Sequence, residues 1–375
     1  MFAVVVVGAG RIGASIAKLL QGTGEYDVTV ADRHAAALER LAAAVPVRVL
    51  ELDVDSGMGA LASELSGKAA VISCCSFDVN PRIAAAALEA GVSYFDLTED
   101  VESTRAVRDL AGRAAAGQIF MPQCGLAPGF AGIMAASMVR RFDRVDSIRV
   151  RVGSLPEYPS NPLMYNLMWS TAGVINEYCR PCEVIHRGLR KEVLALDGLE
   201  QFSIDGVAYE AFNTSGGLAT LCETLQGSVN DLNYKTVRYP GHHYLMDFLI
   251  NGLRMGDSSE SRRQLGAIIE KAVPTTQQDV VLILCAASGW SQGVYTQETD
   301  VRKIYHQTVH GEHWSAIQVT TASAACVAID LFREGKLPVR QGFVRQEQVD
   351  LDVFLANRFG QYYVGEAPHN GLVMA

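Results

Sequence analysis

Apolar and polar positions run along the first third of this chain in two rhythms. Phe2–Val7 is apolar at every position, as in a strand buried on both faces. Directly after it, Ile12, Ile16, Leu19 and Leu20 fall at the spacing of one helix face, so Arg11–Gln21 is predicted helical. The alternation repeats: strands at Asp27–Ala31, Val47–Leu52, Ala69–Ser73, Val92–Asp96 and Gln118–Pro122, and helices at Ala35–Ala44, Gly57–Leu65, Pro81–Ala90 and Ser103–Ala115. Pro46 stops one helix and Pro81 opens another at its first turn, where proline is tolerated. Strands separated by helices imply right-handed crossovers and a parallel sheet covered on both faces. The expectation is a doubly wound α/β (Rossmann) domain.

Beyond Gly129 the rhythm changes. Ala131–Arg141 reads as a helix, and then shorter alternating segments appear at Ser147–Val152, Glu183–Arg187, Val207–Phe212, Tyr234–Val237, Val280–Ala287 and Val301–Val309. These suit a mixed or antiparallel sheet. Gly241–Gly252 and Ser259–Val273 look helical, and Ser315–Arg333 is a long Ala-rich helix suited to packing back on the first domain. The predicted organisation is a dinucleotide-type domain over 1–145, joined by the C-terminal segment from about 315 to 375, and an α+β domain with a mixed sheet over 146–314.

The candidate chemistry begins where the first strand meets the first helix. Gly8-Ala-Gly10-Arg11-Ile12-Gly13 has the G-x-G-x-x-G form in the strand–turn–helix context it requires. Gly8 permits the tight turn, Gly10 the approach of a diphosphate, and Gly13 close packing of helix on strand. The helix N-terminus then offers free N–H groups and a favourable dipole to the phosphates. Asp32, ending the second strand, is placed to bond both hydroxyls of an adenosine ribose and to repel a 2′-phosphate, which favours NAD. Arg33 leaves NADP open, because its guanidinium suits a 2′-phosphate. Asp53 is a candidate for the adenine pocket. Ligands of open α/β sheets lie beyond the carboxyl ends of the strands, so Cys74–Phe77 (with Cys75 and Ser76), Asp96–Thr98 and Cys124–Gly129 (with Leu126 and Pro128) should surround the nicotinamide.

Composition narrows the class. With 375 residues, 49% hydrophobic and 19% charged, the chain can bury two cores, and its net charge of −9 argues against a nucleic-acid partner. No apolar run reaches the length of a membrane span, about 18 residues, so no membrane partner is expected. The start lacks a charged leader, which makes a cytoplasmic location the expectation. Eight cysteines read as reduced, and Cys179-Arg-Pro-Cys182 as a turn with two semi-buried thiols. His306, His310, Glu312 and His313 match no zinc spacing, and no metal is expected; on a continuous strand His306 and His310 would share a face.

Further blocks carry a family resemblance. They are Ala90-Gly-Val-Ser-Tyr-Phe-Asp-Leu-Thr98, Gly125-Leu-Ala-Pro-Gly129, Gly153-Ser-Leu-Pro156, Asn161-Pro-Leu-Met-Tyr165 with Trp169-Ser170, Thr214-Ser-Gly-Gly217, and Tyr234-Lys-Thr-Val-Arg238-Tyr-Pro-Gly-His242. Together with the glycine motif they resemble the saccharopine dehydrogenase-like proteins: saccharopine reductase, lysine 6-dehydrogenase and carboxynorspermidine synthase. The resemblance implies hydride transfer at a carbon bearing an amine or imine, in lysine or polyamine metabolism, with a homodimer built on the second domain. It implies that Asn161, Leu163, Tyr165 and Thr214 line the substrate pocket and that Arg238 grips a substrate carboxylate, a task suited to its planar fork. For acid–base duty Asp96, Glu99, Tyr165, Lys235 and His242 are candidates; His242 comes first because its ordinary pKa is nearest neutrality. Lys235 and Arg238, three apart on a strand, should face opposite ways. The substrate stays open among an amino acid, a saccharopine-like secondary amine and a carboxy-polyamine, and so does a dinucleotide-binding protein without turnover.

Overall fold

The computed structural model describes residues 1–56 and 58–364. Six strands, β1 (Phe2–Val7), β2 (Tyr26–Asp32), β3 (Arg48–Glu51), β4 (Ala70–Ser73), β5 (Ser93–Asp96) and β6 (Ile119–Met121), form a parallel sheet in the order β6-β5-β4-β1-β2-β3. The order reverses between β1 and β4, which opens a crevice beyond their carboxyl ends. Helices Arg11–Gly22, Ala35–Ala44, Met58–Leu65, Asn80–Ala90 and Val101–Ala111 make the crossovers. The predicted start of the third, Gly57, lies outside the described residues.

The second sheet is built from β7 (Arg144–Pro156), β8 (Cys182–His186), β9 (Leu189–Val193), β10 (Glu200–Ile204), β11 (Val207–Asn213), β12 (Asp231–Arg238), β13 (Asp279–Ser291) and β14 (Val294–Tyr305). Its main path runs β10-β11-β12-β7-β13-β14, with β8 and β9 branching from β12. Only β12 and β7 pair in parallel, so the sheet is mixed. β7, β13 and β14 are much longer than their apolar stretches suggest, because the ladder continues into polar, half-exposed ends.

A small hairpin, β15 (Gln307–Val309) and β16 (Glu312–Trp314), turns at His310 and Gly311, both at positive φ. The strand expected over 301–309 is interrupted at His306, between β14 and β15. The fold-back sets the rings of His306 and His313 4.9 Å apart, while His306 Nε2 lies 2.9 Å from Glu157. Finally β17 (Gly342–Phe343) returns to the first sheet as a seventh parallel strand beside β6. Two residues carry no periodicity, so the sequence did not announce it.

Two helices join the sheets. Phe130–Val139 is apolar all round and packs against β7 and β13. Ala316–Arg333 is long and apolar enough to cross a membrane, but most of it is buried here, against helix Arg11–Gly22 on one side and β13 on the other. At its end Asp330 bonds Tyr26, Arg333, Asn357 and Arg358. Burial opposes the charge on Asp330, but these donors hold its carboxyl down at about 2. That knot ties the C-terminal segment to β2.

Candidate active site

The glycine turn is compressed where the motif demands it. A Cβ on Gly13 would sit 1.9 Å from the carbonyl oxygen of Gly8, and Gly8 itself has φ +108°. Gly10 is the opposite case: a Cβ there would meet nothing within 4 Å. No side chain caps the helix that begins at Arg11, and its first turn holds no acidic residue. Free N–H groups therefore face open space, an arrangement that fits a diphosphate.

Next to this turn lies a cavity of about 560 Å³, roofed by the second sheet. The first domain lines it with Gly10, Arg11 and Ile12, with Cys74–Phe77 after β4, Leu97–Glu99 after β5, and Gly125–Pro128 after β6. The second contributes Tyr234, Thr236 and Arg238, alternate residues of β12 that share one face by the two-residue period. Val152 and Ser154 of the neighbouring β7 extend that face, while Gly173 and Glu177, one turn apart, come from helix Thr171–Cys179. Arg11 Nη1 also reaches the Met168 carbonyl, at 3.4 Å, and so links the cofactor turn to the opposite wall.

Arg238 is 3% exposed, and no carboxylate lies within ion-pair distance of it among the described residues. Its Nε–H donates to Tyr178 Oη at 2.9 Å, and one Nη–H donates to the Val237 carbonyl. Tyr178 stands 3.1 Å from His242 Nε2, and His242 Nδ1 lies 2.9 Å from the Leu163 carbonyl. A carbonyl only accepts, so Nδ1 carries the proton and Nε2 accepts from Tyr178. The ring of Tyr165 lies 5.2 Å beneath the guanidinium. A buried cation held from behind in this way is poised to take an anion in the cavity.

The acids of the cavity have the reverse character. Glu177 is 8% exposed, and its carboxylate has no hydrogen bond or ion pair among the described residues. Burial pushes its pKa well up, the charge of Glu99 raises it further, and Arg238 pulls it back. Burial lifts Glu99 to about 7, its own backbone amide opposes, and Asp100 and Asp96 add to the rise.

Comparison with known proteins settles the family. A model of the saccharopine dehydrogenase C-terminal domain matches residues 125–359, and one of the saccharopine dehydrogenase NADP binding domain matches 4–121. The chain belongs to the saccharopine dehydrogenase family. It is a member of an NAD(P)-binding oxidoreductase family. It is 27% identical over 179 residues to the Saccharomyces cerevisiae saccharopine dehydrogenase [NADP(+), L-glutamate-forming], covering 46% of this chain and 39% of that one. It is 23% identical over 194 residues to the mitochondrial alpha-aminoadipic semialdehyde synthase of Mus musculus, covering 49% of this chain and 20% of that one. The matches thus span well under half the length of both curated relatives. The apo structure of the Saccharomyces cerevisiae saccharopine dehydrogenase (L-Glu forming) superimposes with a TM-score of 0.77 at 17% identity, covering 94% of this chain and 95% of that one.

In this family member the anticipated cofactor residues divide by position. Gly10, Arg11, Ile12, Cys75, Ser76, Leu126 and Pro128 line the cavity; Gly8 and Gly13 shape the turn from behind. Asp32, Arg33 and Asp53 lie across the turn, at the ends of β2 and β3. Asp32 accepts from the amides of Ala9 (2.6 Å) and His34 (2.8 Å), which fixes its carboxylate beside the glycine turn. The cysteines after β4 and β6 are not activated: burial lifts Cys75 to about 11 and Cys124 higher still.

The anticipated substrate and acid–base residues need more correction. Only Arg238 and Glu99 line the cavity. Asn161 donates to the Tyr165 carbonyl and accepts from the Leu163 amide, so it folds the loop behind Arg238. Leu163 and Tyr165 belong to that rear wall, and Thr214 is buried at the end of β11 with its hydroxyl unpartnered among the described residues. His242 is 0% exposed and locked between two partners; burial and the Arg238 charge lower it to about 3. A neutral, enclosed imidazole serves as an acceptor in a hydrogen-bond chain and not as the proton donor at the substrate. Asp96, lifted to about 6 by burial despite bonds from Gln123, Thr98 and Tyr94, binds the loops after β5 and β6 together outside the cavity. Lys235 points to the other face, as its spacing from Arg238 requires, and pairs with Glu200. Glu177 escaped the sequence reading: its signal was a lone carboxylate on the apolar face of helix Thr171–Cys179, among Val174, Ile175 and Tyr178.

Proposed function

We propose that this protein transfers hydride between the nicotinamide of NAD(P) and the C–N carbon of an amine that also bears a carboxylate: an amino acid, a saccharopine-like secondary amine or a carboxy-polyamine. The observation that carries this reading is Arg238, a buried guanidinium with no carboxylate at ion-pair distance among the described residues, in the cavity beyond β4–β6 where the nicotinamide ring belongs. The names of the curated relatives, a saccharopine dehydrogenase and an aminoadipic semialdehyde synthase, support the C–N chemistry.

The bound dinucleotide supplies the two-electron acceptor or donor. The residues of the chain do the rest. The free amides at Gly10–Gly13 orient the diphosphate. Arg238 fixes the substrate through two parallel charge-assisted hydrogen bonds, and the apolar walls of Leu97, Leu126, Met168 and Ile317 exclude water from the reacting carbon. Asp32, by the same logic, favours NAD over NADP. A homodimer in the cytoplasm is the accompanying expectation.

The test is a spectrophotometric screen of the purified protein. NAD(P)H oxidation is followed with amines (lysine, diaminopropane, putrescine) paired with keto acids or aldehydes, and NAD(P)+ reduction with amino acids alone. Turnover of at least one carboxylate-bearing amine is expected. Tight dinucleotide binding with no turnover across the whole panel would contradict the proposal.

A further inference from the structure

The Thr214–Gly217 turn brings together two carboxylic acids that lie far apart in sequence. The Ser215 amide donates to the Glu177 carbonyl at 3.0 Å, which docks the turn on the end of helix Thr171–Cys179. Gly216, at φ +84°, packs on the other acid: a Cβ there would lie 2.4 Å from the Glu99 carbonyl oxygen and 3.1 Å from its Cβ. Gly217 allows the ring of Tyr234 equally close, at 2.4 Å. This glycine turn therefore clamps the loop after β5 and the helix against one another, and both Glu99 and Glu177 line the cavity. Thr214 itself does not line it. Its segment shapes the site through the backbone.

An acidic pair in a hydrophobic cleft is costly unless something offsets its charge. Here Glu177 is left without a hydrogen-bond partner among the described residues, on a wall shared with the unpaired Arg238. A carboxylate-binding cation and an unpartnered acid on one wall are complementary to a carboxylate and an ammonium of one ligand. Resting on the reading of the reaction above, we propose that Glu177 is the catalytic base that takes the proton from the substrate ammonium.

The step balances as follows. The substrate enters as an ammonium, and one N–H proton passes to a carboxylate oxygen of Glu177, leaving a neutral amine and a carboxylic acid. The C–H bond then breaks with its electron pair, which passes to the oxidised nicotinamide, while the nitrogen lone pair closes the C=N bond. The substrate loses two electrons and the dinucleotide gains them. In the reverse direction the same carboxylic acid returns the proton to nitrogen.

The charge of Glu99 disfavours ionisation of Glu177. The charged and titratable groups facing Glu177 are Glu99, Arg238, Tyr165, Tyr178, Tyr234 and Cys182; Asp96 and Asp100 face Glu99. Burial raises the three tyrosines and Cys182, with Tyr165 and Cys182 at about 12, so they stay neutral through the working range. Arg238 stays charged. Burial lifts Asp96 to about 6, so it changes charge within the range of the pH profile.

The experiment uses the full chain with its dinucleotide. With an amine identified by the screen, E177Q should lower kcat by ~10²–10⁴-fold, leave NAD(P)H affinity unchanged, and abolish the acid limb of kcat/KM. E177D should restore part of the rate. E99Q should move the acid limb to lower pH, because a like charge beside Glu177 is gone. Wild-type rate and pH profile in E177Q would overturn the assignment. A second readout needs no substrate: in infrared difference spectra of the NAD(P)H complex, a protonated-carboxyl C=O band should titrate above the ordinary carboxylate range and be lost in E177Q. A screen that finds no turnover sinks the reading of the reaction. The infrared band still judges Glu177: its absence overturns the raised carboxyl on which the assignment depends, and its presence upholds it.

Discussion

Two arginines of the second sheet are equally buried, and their surroundings differ in one respect. Arg151, on β7, is 3% exposed and gives Nε and Nη2 to the carboxylate of Glu200, which also receives Lys235. Arg238, on β12, is likewise 3% exposed, yet its partners are a tyrosine hydroxyl, a carbonyl and a ring face. Burying a guanidinium costs several kcal/mol unless an anion offsets it, of order the penalty for any buried ion. The protein supplies that anion for Arg151. Among the described residues none pairs with Arg238 at ion-pair distance, and the guanidinium opens on a cavity. The contrast separates a cation that holds the sheet together from one kept available to a ligand.

The largest effect should come from the second. R238A should lower kcat/KM by on the order of 10²–10³-fold while leaving NAD(P)H binding and thermal stability nearly unchanged, as steady-state kinetics and fluorescence titration will check. E200A is the mirror experiment: it should reduce unfolding free energy by ~1–2 kcal/mol in denaturant melts and leave KM alone, the figure kept low because Glu200 is partly exposed. A KM effect from E200A, or a large stability loss from R238A, would erase the distinction. A smaller change is expected one step back. Y178F removes the acceptor of Arg238 Nε–H and should raise KM about tenfold with little change in kcat. At the cofactor end, D32A should relax discrimination against NADP by roughly tenfold, or about 1.4 kcal/mol.

A further effect is a pH dependence of stability. His242 is shifted from 6.5 down to about 3 by burial and Arg238. Its folded pKa lies below the unfolded one, so the unfolded chain takes the proton first. The stabilisation is complete above 6.5 and is lost as pH falls toward 3. The stability gap between wild type and H242N should therefore narrow across that window in urea melts; a gap independent of pH would contradict the neutral, hydrogen-bonded imidazole.

The cofactor end was legible in the sequence because its determinants are local. Three glycines between an apolar strand and an amphipathic helix specify a turn whose geometry follows from sterics alone, as the 1.9 Å approach at Gly13 confirms. The face of β12 was legible too, since period two separates Lys235 from Arg238. The substrate end was less so, because burial there depends on long-range packing. His242 looked poised by its ordinary pKa, a property that says nothing about enclosure by Tyr178 and Leu163. Glu177 was missed because the Thr214–Gly217 turn that closes over it comes from a distant stretch of the chain. Asn161 and Tyr165 belong to the right neighbourhood but to its outer wall. β17 was invisible because two residues gain strand identity only from the partner they meet.

The central claim, that Arg238 awaits a substrate carboxylate, can be tested by one ratio. NAD(P)+ reduction is measured with an amino acid and with the amine that lacks only its carboxylate, in wild type and in R238A. The account predicts a wild-type preference for the amino acid of on the order of 10²-fold in kcat/KM, collapsing toward unity in R238A. An equal preference in the two proteins would contradict it.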